Sequence, residues 1–269
     1  MFKVVHVTTD LGLAGRERVV VELANQQAQN GYAVSIVCLK KEGKLKERLH
    51  PSIEVFTCWK KDGVELSTIR KIAAFLGKNR PDIVHTHNPG TLLYGNIAAR
   101  LAGIPVIINT EHGFSDPSNF RGRIKEAILY RFTSKVTIVS KNLMERIRRT
   151  YWTPKSKLVV IPNGISKPNP VKSPDEIRSE IVMSPTEFNI GIVGRLSTVK
   201  NHQLLIRSFS KVCEHKNNLK LLIIGVGPLK SDLEGLCRDL CIEDRVHFTG
   251  LRNDIADIMS VLDLLVLSS

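Results

Sequence analysis

Long apolar runs are missing from this 269-residue chain. No stretch approaches the roughly 20 residues a membrane-spanning helix needs. The opening "MFKVVHVTTD" has no apolar core followed by a small-residue cleavage site, so no signal peptide is read and a cytoplasmic chain is expected. Cysteine is scarce: Cys38, Cys58, Cys213, Cys237 and Cys241 make an odd count of five, which argues against a disulfide framework. Cys237 and Cys241 share a helix face, but no Cys/His partners at zinc spacing accompany them. Aromatics are 6%, too few for the stacking motifs of a single-strand nucleic-acid binder. Acidic residues are also short, 26 against 39 Lys and Arg, for a net charge of +13. Much of that excess sits in one stretch. Arg121 to Lys157 holds eleven Lys/Arg and two Glu, which suggests a surface that meets something anionic or a solvated basic face.

What is present is alternation. Short β-branched runs at 2–7, 33–39, 53–58, 82–87, 106–111, 135–140 and 157–162 predict strands. Helical patterns fall near 15–30, 65–79, 91–102, 121–133 and 141–150, with a weaker one at 40–50. Strands alternating with helices make βαβ units around a mainly parallel sheet. "PNGISKPNPVKSPDEI" (162–177), with four prolines and one glycine, is the linker candidate. Within it "SPDE" reads as a helix start, with Ser173 as N-cap and Glu176 closing a capping box. Alternation resumes with strands at 188–194, 219–225, 245–250 and 263–269 and helices at 200–216, 229–241 and 253–260. The fold class is therefore α/β, with two Rossmann-like domains over 1–165 and 166–269, the second expected to be incomplete.

Sites in open α/β sheets form at the carboxyl ends of the strands. The first strand runs into "GLAGRE", where Gly12 and Gly15 punctuate a turn at a helix start, a place that attracts anions but also serves as a plain tight turn. His85 and His87 end one strand and His112 the next. The first two are expected to point to opposite faces, so that at most one lines a cleft, and metal binding is not expected. In "GIVGRLSTVKN" (191–201), Arg195 follows a strand and Lys200 is expected to open the next helix. Two cations at a strand end suit a ligand with more than one negative charge, such as a diphosphate. "GVGPL" (225–229) repeats the layout but lacks the third glycine of a dinucleotide fingerprint, so a nicotinamide cofactor is not expected.

Taken in order, "GLAGRE", "PDIVHTHN", "TEHGF", "VSKNLMERI", "VIPNGIS", "VGRLSTVKN", "IIGVGP" and "RVHFTG" resemble a retaining, nucleotide-sugar-dependent glycosyltransferase of the two-Rossmann GT-B fold, family 4 type. The resemblance spans essentially the whole chain. One departure is Ala14, where the family usually has a second adjacent glycine.

The resemblance implies that Gly15, Arg195 and Lys200 hold the donor diphosphate and that His112 sits beside the transferred sugar as the catalytic residue. It places Gly225, Gly227, Val246, Phe248, Gly250 and Leu251 near the nucleobase, and His87 and Asn163 at the acceptor cleft. The donor would be a nucleoside-diphosphate sugar and the acceptor an envelope glycan or lipid-linked sugar. No Asp-x-Asp triplet occurs, so no metal or other cofactor is expected. Segment 120–133 is expected to be an amphipathic helix, with Ile124, Ala127, Ile128 and Phe132 on one side. It would touch an anionic inner-membrane surface, peripherally, or else simply pack on the sheet; no nucleic acid is expected. The family continues past "DLLVLSS" into a Glu-Gly-Phe-Gly loop with a second glutamate seven residues after the first. The chain is thus expected to be truncated and inactive or impaired as a transferase. Two alternatives stand beside this reading: a sugar-nucleotide epimerase of related fold, and a non-catalytic basic module for membrane or nucleic acid.

Overall fold

The computed structural model describes residues 1–114, 120–164, 169–181, 184 and 186–269, so residues 165–168 of the linker candidate lie outside the described residues. The chain divides into two compact units, Met1–Ile165 and Ser166–Ser269.

The first unit alternates β1 (Lys3–Thr8), α1 (Gly15–Gln29), β2 (Ala33–Cys38), β3 (Glu54–Thr57), α2 (Leu66–Asn79), β4 (Ile83–His87), α3 (Pro89–Leu101), β5 (Val106–Glu111), α4 (Phe120–Arg131), β6 (Lys135–Ile138), α5 (Lys141–Tyr151) and β7 (Leu158–Val160). All seven strands are parallel, in the order β3-β2-β1-β4-β5-β6-β7. The order reverses between β1 and β4, the crevice where doubly wound sheets take ligands. The sheet is apolar on both sides, as a sheet covered by helices requires. Val5, Val7 and Val84 pack with Ile72, Leu76 and Ala98 of α2 and α3. Val34 and Ile36 pack with Val21 and Ala24 of α1. His6 and Thr8 break this rule, since both are fully buried on β1. The expected helix at 40–50 is only a 3-10 turn, Lys44–Arg48, because its one buried residue, Leu45, plugs in beneath Leu11.

The second unit holds α6 (Pro174–Glu180), β8 (Phe188–Val193), α7 (His202–Cys213), β9 (Leu219–Ile224), α8 (Lys230–Asp239), β10 (Val246–Gly250), α9 (Ile255–Met259) and β11 (Leu264–Leu265). The sheet is parallel, ordered β10-β9-β8-β11, and reverses between β8 and β11. The capping box at Ser173 forms: its hydroxyl accepts the Glu176 N–H, and the Glu176 carboxylate accepts the Ser173 N–H at 2.8 Å. Ile192, Leu221 and Ile223 fill one side of the sheet with Leu205, Ile206 and Phe209 of α7. The strand expected over 263–269 is short, with β11 spanning two residues.

Candidate active site

The glycine turn after β1 is tied down at its middle. Leu11 is fully buried, its N–H donates to the Glu42 carbonyl at 2.6 Å, and its own carbonyl accepts the Leu45 N–H at 2.9 Å. Gly43, at φ +92°, must be glycine there, because a Cβ would lie 2.4 Å from the Leu11 backbone. Asp10 closes the turn, its Oδ1 accepting the Gly12 N–H at 2.8 Å. This braced loop delivers Gly15 to the first position of α1, and a Cβ on Gly15 would meet nothing within 4 Å. The space over the helix start is open, and its unpaired N–H groups are available to an anion. Arg16 follows at once and pairs with the buried Glu17 carboxylate, Nε to Oε1 at 2.7 Å. No motif drew attention to either residue, although both lie in the stretch that carried the glycines.

At the neighbouring strand ends the histidines gather. The expectation that His85 and His87 face opposite ways is overturned. Side chains alternate along a strand, so residues two apart share a face, and the two ring centroids are 4.4 Å apart. His6 of β1 joins them, 5.1 Å from His85 and 5.3 Å from His87 by centroid. A hydrogen-bonded line runs through three rings. Gln27 Oε1 meets His6 Nε2 at 2.7 Å, His6 Nδ1 meets His87 Nε2 at 3.1 Å, and His87 Nδ1 meets His112 Nε2 at 3.1 Å. His85 stands aside, with Nε2 on the Thr110 hydroxyl at 2.6 Å. Burial, chiefly, pushes His6 down to about 4 and His85 and His87 well below the usual imidazole range. His112 also falls to about 4, first through burial and then through the Arg16 charge.

This geometry corrects the placement of His87 at an acceptor cleft. The side chain is buried and both ring nitrogens are already bonded to neighbouring histidines, so no atom is left for an acceptor. Asn163 is exposed beyond β7. The nitrogens of His6, His85 and His87 lie within 4.8 Å of one another, a grouping that could also hold a metal ion. The fit is poor as the rings stand, because His6 Nδ1 and His87 Nε2 are spent on each other at 3.1 Å, His6 Nε2 on Gln27 at 2.7 Å and His85 Nε2 on the Thr110 hydroxyl at 2.6 Å.

Two further residues shape this edge. Asn88 caps α3 from φ 72°, ψ 167°, a region essentially reserved for glycine, and its Oδ1 accepts the His112 N–H at 3.1 Å. On the other sheet face Glu111 is buried, accepting from Asn109 Nδ2 at 2.6 Å and from the Tyr130 hydroxyl at 2.9 Å. Burial raises its pKa to about 8 despite those two bonds, so at pH 7 it is mostly protonated.

In the second unit Arg195 and Lys200 flank the end of β8. Leu196 between them is fully buried and anchors the loop. Lys200 closes a 3-10 turn, Thr198–Lys200, and α7 starts only at His202, so the lysine precedes the helix rather than opening it. The reason is Asn201, whose left-handed φ of 48° separates the two elements. The Lys200 stem lies over Gly194, with a Cβ there 3.6 Å from its Cγ and Cδ, which carries the ammonium along the strand end. The Ser268 hydroxyl donates to the Lys200 carbonyl at 2.9 Å and bridges β11 to the same loop. Among the described residues neither Arg195 nor Lys200 has an ion-pair partner. His202 is buried beside them, and neither ring nitrogen has a hydrogen-bond partner among the described residues.

Gly225 and Gly227 are needed for packing. A Cβ on Gly225 would sit 2.0 Å from the Gly194 carbonyl oxygen, and one on Gly227 would sit 2.2 Å from that of Leu196. The Gly225 N–H also donates to the Gly250 carbonyl at 2.9 Å, which brings three strand ends together. Leu251 lies exposed at this edge. Val246 and Phe248 sit earlier on β10; Val246 belongs to the core and Phe248 packs against it.

The comparisons with known proteins agree with this layout. Residues 13–167 match Glycosyltransferase Family 4, and residues 174–269 match Glycosyl transferases group 1. An Escherichia coli UDP-Gal:alpha-D-GlcNAc-diphosphoundecaprenol alpha-1,3-galactosyltransferase is 28% identical, covering 99% of this chain and 73% of its own length. An uncharacterized glycosyltransferase of Methanocaldococcus jannaschii is 31% identical over 69% of the chain, which spans half of that relative. Among solved structures, a Rickettsia africae glycosyltransferase superposes with TM-score 0.83 at 18% identity, covering all of this chain and 73% of the other. Anabaena HepE in complex with UDP-glucose superposes at 0.79 with 20% identity, covering all of this chain and 74% of the other. Two parallel α/β units of GT-B type, matched along nearly their whole length, place the chain in Glycosyltransferase Family 4.

Proposed function

We propose that the chain takes part in transfer of a sugar from a nucleoside-diphosphate donor to a lipid-linked or glycan acceptor, with retention at the anomeric carbon. The observation that carries the reading is the pair Arg195 and Lys200. Two cations with no ion-pair partner among the described residues stand at a sheet's switch point, one with its stem laid over Gly194. A departing nucleoside diphosphate gains negative charge as the glycosidic bond breaks, and fixed cations stabilise that gain more than they stabilise the bound ground state. No metal is needed for that task. Names of relatives point the same way: one takes UDP-Gal, and a solved neighbour binds UDP-glucose.

Retention fits the state of the acid–base groups among the described residues of the first unit's edge. Inverting transfer needs a base to take the acceptor's proton. Glu111 is buried and mostly protonated at pH 7, Glu17 is paired with Arg16, Asp10 Oδ1 is spent on the Gly12 N–H, and His112 is a weak base. The oxygen of the leaving diphosphate is then the natural proton acceptor, which keeps the incoming hydroxyl on the departing face.

For the acceptor, a first-unit cavity of about 330 Å³ is lined by Thr9, Gly90 and Tyr94, by three cations, Lys40, Lys60 and Lys125, and by one acid, Glu126, with Lys40 paired to Asp62 at 2.6 Å. This lining suits the phosphates of a lipid-linked sugar, the acceptor class named for the galactosyltransferase relative. A peripheral membrane location fits too. On α4, Ile124 and Ile128 are 40% and 50% exposed, with Phe132 just beyond and Trp152 alongside, amid the basic stretch. The test is calorimetric titration of UDP, GDP and ADP sugars into wild type, Arg195→Ala and Lys200→Ala. Binding of one donor series, lost in both variants, is expected; equal binding by either variant refutes the assignment.

A further inference from the structure

His112 is held from two directions. Asn88 fixes its backbone, and the ring line from Gln27 fixes its Nε2. Each contact in that line needs one donor and one acceptor. His6, His87 and His112 are neutral near pH 7, so each carries a single ring proton. A direction set at one end must therefore propagate to the other. At the far end stands a carbonyl, Gln27 Oε1, half-buried on the side of α1 that carries Val20 and Ala24 against the sheet, and a carbonyl only accepts.

We propose that Gln27 and His6 are positioning residues that set the tautomer of His112 through His87, presenting Nδ1 of His112 to its ligand as a bare acceptor. The chain of reasoning is short. Gln27 Oε1 accepts, so His6 is protonated on Nε2 and its Nδ1 is a lone pair. His87 must then donate from Nε2, which leaves its Nδ1 to accept. His112 in turn donates from Nε2, and its Nδ1 is unprotonated. That atom is buried and has no hydrogen-bond partner among the described residues, which leaves its lone pair for a ligand. A lone pair accepts from a sugar hydroxyl and repels a phosphate oxygen. His112 so set discriminates between the two ends of a nucleoside-diphosphate sugar. Turning the Gln27 amide by half a rotation would reverse every bond in the line and present an N–H instead. The inference rests on the reading of His112 as a donor-sugar contact, but the tautomer itself can be measured without any donor.

The experiment uses the full chain with ¹⁵N-labelled histidine rings. Long-range proton–nitrogen correlations identify which ring nitrogen carries the proton in each residue. Wild type is expected to show His6, His87 and His112 all protonated on Nε2. Gln27→Leu removes the acceptor and is expected to move His112 to mixed tautomers, while Gln27→Glu, which keeps an accepting oxygen, restores the wild-type pattern. A merely structural Gln27 would alter melting temperature and leave the ring pattern alone. Protonation of His112 on Nδ1 in wild type overturns the proposal, and that outcome needs no variant to fold. So does an unchanged pattern in Gln27→Leu, or a wild-type His6–His85–His87 cluster whose nitrogen resonances shift together on adding stoichiometric zinc. Failure of the chain to bind any nucleoside-diphosphate sugar would count against the donor reading and leave the tautomer result standing.

Discussion

The side chain of Asn88 accepts the backbone N–H of His112 at 3.1 Å while its own backbone sits at φ 72°, ψ 167°. A non-glycine residue in that region costs about 1–3 kcal/mol. The strain is held at the point where β4 and β5 end side by side. Asn88→Gly is expected to relieve it and to delete the hydrogen bond, leaving stability within about 1 kcal/mol of wild type. Donor affinity should nevertheless fall, because His112 loses its backbone anchor. Denaturant melts paired with calorimetry check this; unchanged affinity would remove Asn88 from the site.

Arg195→Ala and Lys200→Ala should each weaken nucleoside-diphosphate binding roughly ten- to hundredfold, the worth of a charge-assisted contact of about 1.5–3 kcal/mol. Neither side chain is in the core, so melting temperature should hold. Titration calorimetry of the two variants against wild type is the measurement.

Gly15 offers a cleaner probe, because a Cβ there meets nothing. Gly15→Ala is expected to stabilise the helix by about 0.5–1 kcal/mol while obstructing a phosphate that approaches the helix start. A thermal melt and a binding isotherm on the same sample decide. Stabilisation together with undiminished binding would mean that no phosphate reaches Gly15.

Stability should depend on pH in two opposed ways. The histidines are depressed below 6.5 in the folded chain, His6 and His112 to about 4 and His85 and His87 further. Unfolding therefore takes up protons as pH falls from about 6.5 toward 4, and stability is lost over that window. Glu111 is raised from 4.5 to about 8, so its contribution is complete below pH 4.5 and fades as pH rises to 8. Four histidines outweigh one glutamate on the acid side, and the net slope there is at most about 4 kcal/mol per pH unit. Glu111→Gln should abolish the decline between about pH 6.5 and 8 and steepen the acid limb, since the opposing carboxyl is gone, as read from melting temperature between pH 4.5 and 9.

The exposed Ile124, Ile128, Phe132 and Trp152, set among the cations of 121–157, should carry the chain onto anionic vesicles. Ile128→Glu and Trp152→Glu are expected to abolish sedimentation with phosphatidylglycerol vesicles and leave donor binding unchanged. Equal partitioning of wild type to neutral vesicles would point to a cause other than this patch.

Strand alternation and the proline-rich break were legible because apolar period and breakers are local signals, and the parallel sheets followed from them. Arg195 and Lys200 were legible for the same reason: a strand end and its cations are neighbours in sequence. His6, Gln27 and Asn88 were not. His6 is 81 residues from its partner His87, and only the order β1 beside β4 joins them. Gln27 looks like any polar residue on a helix. His6 did carry one overlooked signal, a polar ring at an inward position of an otherwise apolar strand. For His85 and His87 the needed rule was local too, since a period of two puts them on one face. The apolar residues of α4 could have faced the sheet or solvent; Leu129 and Tyr130 fill the core, which leaves Ile124 and Ile128 outside.

The contact of Gly225 and Gly227 with the backbone of Gly194 and Leu196 bears on how this enzyme family could diversify. With no side chain between them, the two loops fit together like the halves of a hinge plate, and any Cβ added at either glycine would force them apart. The cationic rim is thus closed to change from that side. Leu251, exposed at the same edge, meets no such restriction. Under the proposed function, libraries at Leu251 are expected to change nucleobase preference without weakening diphosphate binding, as a titration of UDP, GDP and ADP into the variants would read.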